Sequence, residues 1–260
     1  MKDSLIITKR QLLQLLRVPE VLIFSTIQPV MFVLLFRYVF GGAINTPGVD
    51  YVQLLMPGIF VQTVAFTVAG TALGLAEDMQ KGLIDRFRSL PISRSAVVVG
   101  RTLGDATLNV VVLIVMALTG ILVGWRPSSG ALEIFGGFLL LLIFGYAMSW
   151  MGVLVGLSVR DFRTASNVVF LFVFPMTFLS NAFAPTTGMP RPLQYVAEWN
   201  PVSTMVAGVR DLFGLEPMFG ATANSFPSQN PLVMSLIYIG LLMAIFIPLS
   251  VRKYKNVSPK

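Results

Sequence analysis

Six hydrophobic runs, nearly free of charge and each about as long as a bilayer is thick, dominate the chain. A hydrocarbon core about 30 Å thick is crossed by ~20 apolar residues in helical form. The runs lie at 21–40, 53–75, 103–125, 134–159, 167–184 and 231–251. Lipid offers no hydrogen bonds, so such segments must satisfy their own backbone groups and fold as helices. Charged residues make up only 12 % of the chain, against roughly 25 % in a soluble domain. The expected class is therefore an all-α membrane protein with six transmembrane helices, and one membrane domain, 1–260, fills the sequence. Pro29, Pro57, Pro175 and Pro248 fall inside or near the ends of the runs, where local kinks rather than breaks are expected.

Basic residues set the expected orientation. With the N-terminus in the cytoplasm, Lys2, Lys9, Arg10, Arg17, Lys81, Arg86, Arg88, Arg94, Arg101, Arg160, Arg163, Arg252, Lys253, Lys255 and Lys260 face inward. Only Arg37, Arg126, Arg191 and Arg210 face outward, a split of 15 to 4. Both termini are thus expected in the cytoplasm. The net charge of +7 reads as topology, not as a nucleic-acid footprint. The first apolar run is longer than a secretory h-region and follows a longer basic flank, so an uncleaved first crossing is expected.

Two flanking segments carry further structure. Residues 1–20 include "LIITKRQLLQLLR", which places Leu5, Ile6, Leu12, Leu13 and Leu16 on one helical face, interrupted by Lys9. That pattern fits an interfacial helix lying on anionic headgroups, or an ordinary charged flank. The segment 185–230, outside the membrane in this topology, holds six prolines and so excludes one long helix. Within it "PLQYVAEW" and "VSTMVAGVRDLFGL" are each amphipathic. Two short re-entrant or interfacial helices are expected there, the alternative being a compact loop.

Several chemistries are excluded by residue type. Cysteine and histidine are absent, which removes disulfides, structural zinc sites and histidine proton shuttles. No Gly-x-x-x-x-Gly-Lys-Ser/Thr string occurs, so this chain has no phosphate-cradling loop of that type. It is expected to be no enzyme and to bind no cofactor or metal of its own. Asp105 is the sole acidic residue within a run. It is expected near the inner boundary, where Arg101, one helical turn earlier, forms a snorkelling ion pair with it. Polar positions Gln28, Gln62, Thr63, Thr67, Asn109 and Asn181 are candidates for lining a pathway. Helix–helix hydrogen bonding accounts for the same residues.

The one polar island between runs is "EDMQKGLIDRFRSLPISRS" at 77–95, which holds seven of the chain's 31 charged residues. Met79, Leu83, Ile84, Phe87 and Leu90 recur mainly at spacings of three and four, and Pro91 stops the helix. Lys81 with Asp85 and Asp85 with Arg88 form intrahelical pairs worth about 0.3 kcal/mol each. A cytoplasmic amphipathic helix within a loop at 76–96 is expected. Either it lies on the lipid surface, or it docks a cytoplasmic partner through Leu83 and Phe87.

"GLIDRFRSLPISRSAVVVGR" after the second run and "NAFAPTTGMPRPLQYVAEWNPVSTMVAGVRDLF" after the fifth resemble ABC-2 type transporter permeases, in particular the daunorubicin-resistance branch of bacterial drug exporters. The resemblance covers nearly the whole chain. It implies the transmembrane subunit of an ATP-driven ABC exporter in the bacterial cytoplasmic membrane, moving a drug or lipid outward. Export of a lipid-linked polysaccharide, or a non-transporting six-span scaffold, remains an alternative. The implied partners are two copies of a separate ABC ATPase, which would carry ATP and Mg, and a second permease copy or a related permease. It gives Glu77, Lys81, Leu83, Arg86, Phe87 and Arg88 a role in coupling to that ATPase. Asn200-Pro201 and Arg210 match a recurrent pattern in the family's outer segment, where a structural role is implied.

Overall fold

The computed structural model describes residues 19–41, 50–83, 94–159, 161–183, 186–215 and 225–256. Among them every regular element is helical. α1 (Pro19–Leu35) passes into a π-helical turn, Phe36–Phe40. α2 (Tyr51–Ala65) and α3 (Thr67–Gln80) follow, then α4 (Arg94–Leu122), α5 (Ala131–Ser158) and α6 (Phe162–Phe178). The short α7 (Arg191–Glu198), α8 (Pro201–Leu212) and α9 (Phe226–Gln229) precede the long α10 (Pro231–Asn256). Of the expected interfacial helix only its last two residues are described, as the start of α1. Residues 84–93, with Arg86, Phe87 and Arg88, lie outside the described residues.

Among the described residues four helices are long and apolar enough to cross a membrane: Tyr51–Gln80, Val97–Leu122, Ala131–Ser158 and Pro231–Tyr254. Two shorter apolar helices, Ser25–Val39 and Phe162–Phe178, coincide with the first and fifth runs. The helix of the third run begins earlier than its apolar content suggested, at Arg94. The fifth ends earlier, at Phe178, because Asn200 takes over its last carbonyls. In the proline-rich segment α7 and α8 form on the two amphipathic stretches, with a 3-10 turn at Thr186–Gly188 and the one-turn α9 beside them.

The second run is one long helix with a single flaw, and the flaw is not at its proline. Pro57 sits inside α2, whose following turns carry on to Ala65. The irregularity falls at Phe66, where ψ is −5°. There the Ala69 amide donates to the Phe66 carbonyl at 2.9 Å, a three-residue step in place of four. Such a tight turn in mid-helix is a frequent site of hinging.

α5 is the central helix, packed against α2, α3, α4, α6, α8 and α10. Its closest approach is to α3, and glycine makes it possible. A Cβ at Gly152 would stand 2.7 Å from the Val68 carbonyl oxygen, and one at Gly156 would stand 2.8 Å from that of Ala72. The spacing of four between the two glycines puts both on one face. Inside lipid, helices associate through close van der Waals packing rather than a hydrophobic drive, so small residues at the contact are decisive. Toward the Trp125 end, Phe60, Trp125, Phe138 and Phe213 pack edge to face around α2, α5 and α8. The opposite faces of α1, α4, α6 and α10 are apolar and exposed, for example at Ile27, Ile114, Leu171 and Ile237. Such surfaces suit lipid or a second membrane chain.

Replacing Gly152 by alanine should lower stability by about 1–3 kcal/mol through overpacking. Gly70→Ala, where a Cβ meets nothing within 4 Å, should be neutral or stabilising. Thermal melts of both variants in detergent or nanodiscs check the contrast.

Candidate functional site: a polar cavity within the helix bundle

The tight turn at Phe66 leaves space beside it. A cavity of about 270 Å³ opens there between α1, α2, α3, α4 and α6. Ser25 and Gln28 of α1, Gln62 and Thr63 of α2, Thr67 and Thr71 of α3, and Asp105 and Asn109 of α4 supply its polar wall. Phe32, Phe66, Leu108, Val112 and Phe170 supply much of the apolar remainder. A volume of this kind, apolar with a few convergent polar groups, suits an amphipathic molecule.

Each polar group is placed by helical register. Thr67 and Thr71 sit one turn apart on α3, and Asp105 and Asn109 one turn apart on α4. The two pairs meet rung by rung: Thr67 Oγ1 donates to Asn109 Oδ1 at 3.0 Å, and Thr71 Oγ1 donates to Asp105 Oδ2 at 2.7 Å. Asn109 Nδ2 is buried without a hydrogen-bond partner among the described residues. Below these rungs Arg101 Nη1 donates to Asp78 Oδ2 at 2.9 Å, and its Nε lies 3.7 Å from Asp105 Oδ1.

Of the six polar positions singled out in the sequence, five converge on this one cavity: Gln28, Gln62, Thr63, Thr67 and Asn109. Asn181 does not. It lies past the end of α6, where its carbonyl accepts from Arg210 Nη2 at 3.0 Å and its amide donates to Ser203 Oγ at 3.3 Å. Ser25, Thr71 and Asp105 are the polar cavity residues that residue-type reasoning did not assign to a pathway. The expected Arg101–Asp105 pair exists, but its closer partner is Asp78. Asp105 lies well inside α4 and faces the cavity, because α4 begins at Arg94 and carries it inward by about three turns. The pairing with Asp78 crosses between helices and leaves no mark in the spacing of either.

Glu77 and Lys81 form an ion pair one helical turn apart, at 2.5 Å and largely exposed. Both belong to the end of α3 and its cap, so Met79 and Lys81, expected in the amphipathic helix of the 76–96 loop, are part of α3 instead, and residues 84–93 of that expectation lie outside the described residues. The boundary lies at Gly82, whose φ of +67° is a left-handed conformation that suits glycine. Its amide donates back to Met79, closing α3. Leu83 is half-buried just beyond.

Asn200 and Arg210 join α8 to the rest. Asn200 Oδ1 caps α8 by accepting from the Val202 amide at 2.9 Å. Its Nδ2 donates to the Met176 and Leu179 carbonyls at 2.6 and 2.9 Å, so one side chain ends α6 and starts α8. Arg210 is buried, and besides Asn181 it donates through Nη2 to the Leu54 carbonyl of α2 at 2.9 Å. Gly58 makes room for this junction, since a Cβ there would collide with the Ala182 backbone.

Residues 3–213 match the sequence profile of the ABC-2 type transporter family. The chain is similar to a daunorubicin resistance ABC transporter permease protein of Streptomyces coeruleorubidus, 34 % identical over 92 % of this chain and 81 % of that one. It is 28 % identical to a putative transport permease of Cyanophora paradoxa over 82 % of this chain and 74 % of that protein. A probable doxorubicin resistance ABC transporter permease protein of Mycobacterium tuberculosis (strain ATCC 25618 / H37Rv) is 23 % identical, over 96 % and 87 % respectively.

Asn200→Ala should cost about 2 kcal/mol, the loss of an N-cap together with bonds to two carbonyls. Asn200→Asp keeps the cap oxygen but sets a buried carboxylate against the Met176 and Leu179 carbonyl oxygens, so its loss should be at least as large. Melting curves of the two variants, read side by side, check that order.

Proposed function

This chain belongs to the ABC-2 type transporter family, and from that premise we propose that it is the membrane subunit of an exporter energised by a separate ATPase. The observation that carries the reading furthest is the convergence of polar side chains from four helices on one cavity beside the flaw in a membrane-length helix. Polar groups are costly within lipid and cluster there on functional pathways. A mixed polar and aromatic wall suits a drug or lipid with an apolar body and a few hydrogen-bonding groups. The named resistance functions of two relatives support a drug as the substrate class.

In this reading the chain crosses a bacterial cytoplasmic membrane six times, with both termini inside. The basic residues of the sequence support that orientation. α7 and α8 then lie in the outer leaflet, where Tyr195 and Trp199 are exposed and suit the headgroup level. The working unit is two permeases with two ATPases, and lipid-facing helices such as α1 and α6 are available to meet a second copy. ATP and Mg bind to the ATPase. The segment after Gln80 meets that ATPase, and Glu77, Lys81, Leu83, Arg86, Phe87 and Arg88 form the contact. Closure of the ATPase pair pulls on the end of α3, and the cavity responds at the Phe66 turn.

Co-purification of the chain with an ATPase encoded beside it, and stimulation of ATP hydrolysis by the chain, test the assignment. Phe87→Asp and Arg86→Glu should each reduce the stimulation at least tenfold while membrane insertion is retained. A six-span scaffold with no transport cycle predicts instead that neither substitution matters and that no complex forms.

A further inference from the structure

Arg101 holds two carboxylates that sit at different heights of the bundle. Asp78 is two residues from the end of α3, beside the segment proposed to meet the ATPase. Asp105 stands in the cavity wall. The guanidinium lies 2.9 Å from the first and 3.7 Å from the second, and Thr71 binds Asp105 from the far side at 2.7 Å. The network therefore ties α3 to α4 twice, at Asp78 and at Thr71, two helical turns apart.

The fold reserves space for this arrangement. Gly74 lies between the two tie points on α3, and a Cβ there would collide with the Arg101 guanidinium. Arg101, Asp78 and Asp105 are each mostly shielded, with side-chain exposures of 16 %, 30 % and 14 %. Ion pairs held at low dielectric are stiff, and breaking one leaves an unpaired buried charge. The other half of the same long helix is fixed elsewhere: α2 is held by Arg210 on the Leu54 carbonyl and by the Gly58–Ala182 contact. Between these two anchored halves lies the irregular turn at Phe66, and the cavity opens at that point.

We propose that the Asp78–Arg101–Asp105 bridge makes α3 and the first half of α4 one body, which moves against α2 at the Phe66 turn and so sets access to the cavity. Arg101 is a positioning residue: it carries a displacement at the end of α3 to the cavity wall. Its place in a transport cycle rests on the exporter reading, but the bridge itself can be tested in the isolated chain.

The absence of native cysteine allows a single reporter. Ala69 lines the cavity and lies nine residues from Asp78, about 13 Å along the helix. In the Ala69→Cys chain in nanodiscs, the rate of modification by a water-soluble methanethiosulfonate reads cavity access. Asp78→Asn, which breaks the bridge at its far end, should raise that rate at least threefold. Gly74→Ala, which displaces the guanidinium with no change of charge, should do the same, and Asp78→Glu should keep the parent rate. Melting curves identify variants that have lost the fold, and either of the first two substitutions alone suffices. A rate less than threefold above the parent in a folded Asp78→Asn or Gly74→Ala chain overturns the proposal. This readout involves no ATPase and no transported ligand, so it stands or falls separately from the exporter assignment.

Discussion

The contact between Gly152–Gly156 and the backbone of α3 is the constraint on which the rest of the bundle depends. Lipid competes equally well for apolar side chains, so two helices stay together there only if they fit better with each other than with acyl chains. Two glycines one turn apart let α5 rest directly on the Val68 and Ala72 carbonyls. That places α3 against the central helix and fixes its rotation. Once α3 is so oriented, Thr67 and Thr71 point toward α4, and Asp105 and Asn109 acquire partners.

A second set of contacts fixes the other end. Asn200 and Arg210 satisfy carbonyls from α6, from the turn after it and from α2, which binds α8 to three separate segments. These are backbone acceptors and not carboxylates, so the joint depends on geometry and not on a partner charge. The long helix formed by α2 and α3 is thus held firmly near both ends by different neighbours. Its irregular turn lies between them, and the polar cavity lies beside the turn. A molecule built this way can change the cavity by a small shift of one half against the other, without repacking either.

Much of this was legible in the sequence. The apolar runs marked the helices, the family resemblance implied a structural role for Asn200-Pro201 and Arg210, and the proline-rich segment was read as holding two short helices. Residue type also chose five of the cavity's polar positions. What could not be read were relations between helices. Pro57 looked like the disruptive residue of the second run, yet the irregularity fell at Phe66, where neighbouring helices leave space. The spacing of Arg101 and Asp105 revealed their pair but hid Asp78, which approaches from another helix. Asn181 shared the residue type of the cavity group, but its place past the end of α6 gave it to the Arg210 junction. The left-handed conformation of Gly82 ends α3, a boundary that the spacing of Met79, Leu83 and Phe87 hid.

The central claim is that this chain forms a path that an ATPase drives. Inside-out vesicles containing the chain and a candidate partner ATPase measure this most directly, with a fluorescent anthracycline as the probe. The account predicts uptake that requires ATP hydrolysis, requires this chain, and is lost when bulky side chains fill the cavity at Ala69 and Thr63. Uptake equal to that of vesicles lacking the chain, or uptake indifferent to ATP and to the filled cavity, would contradict it.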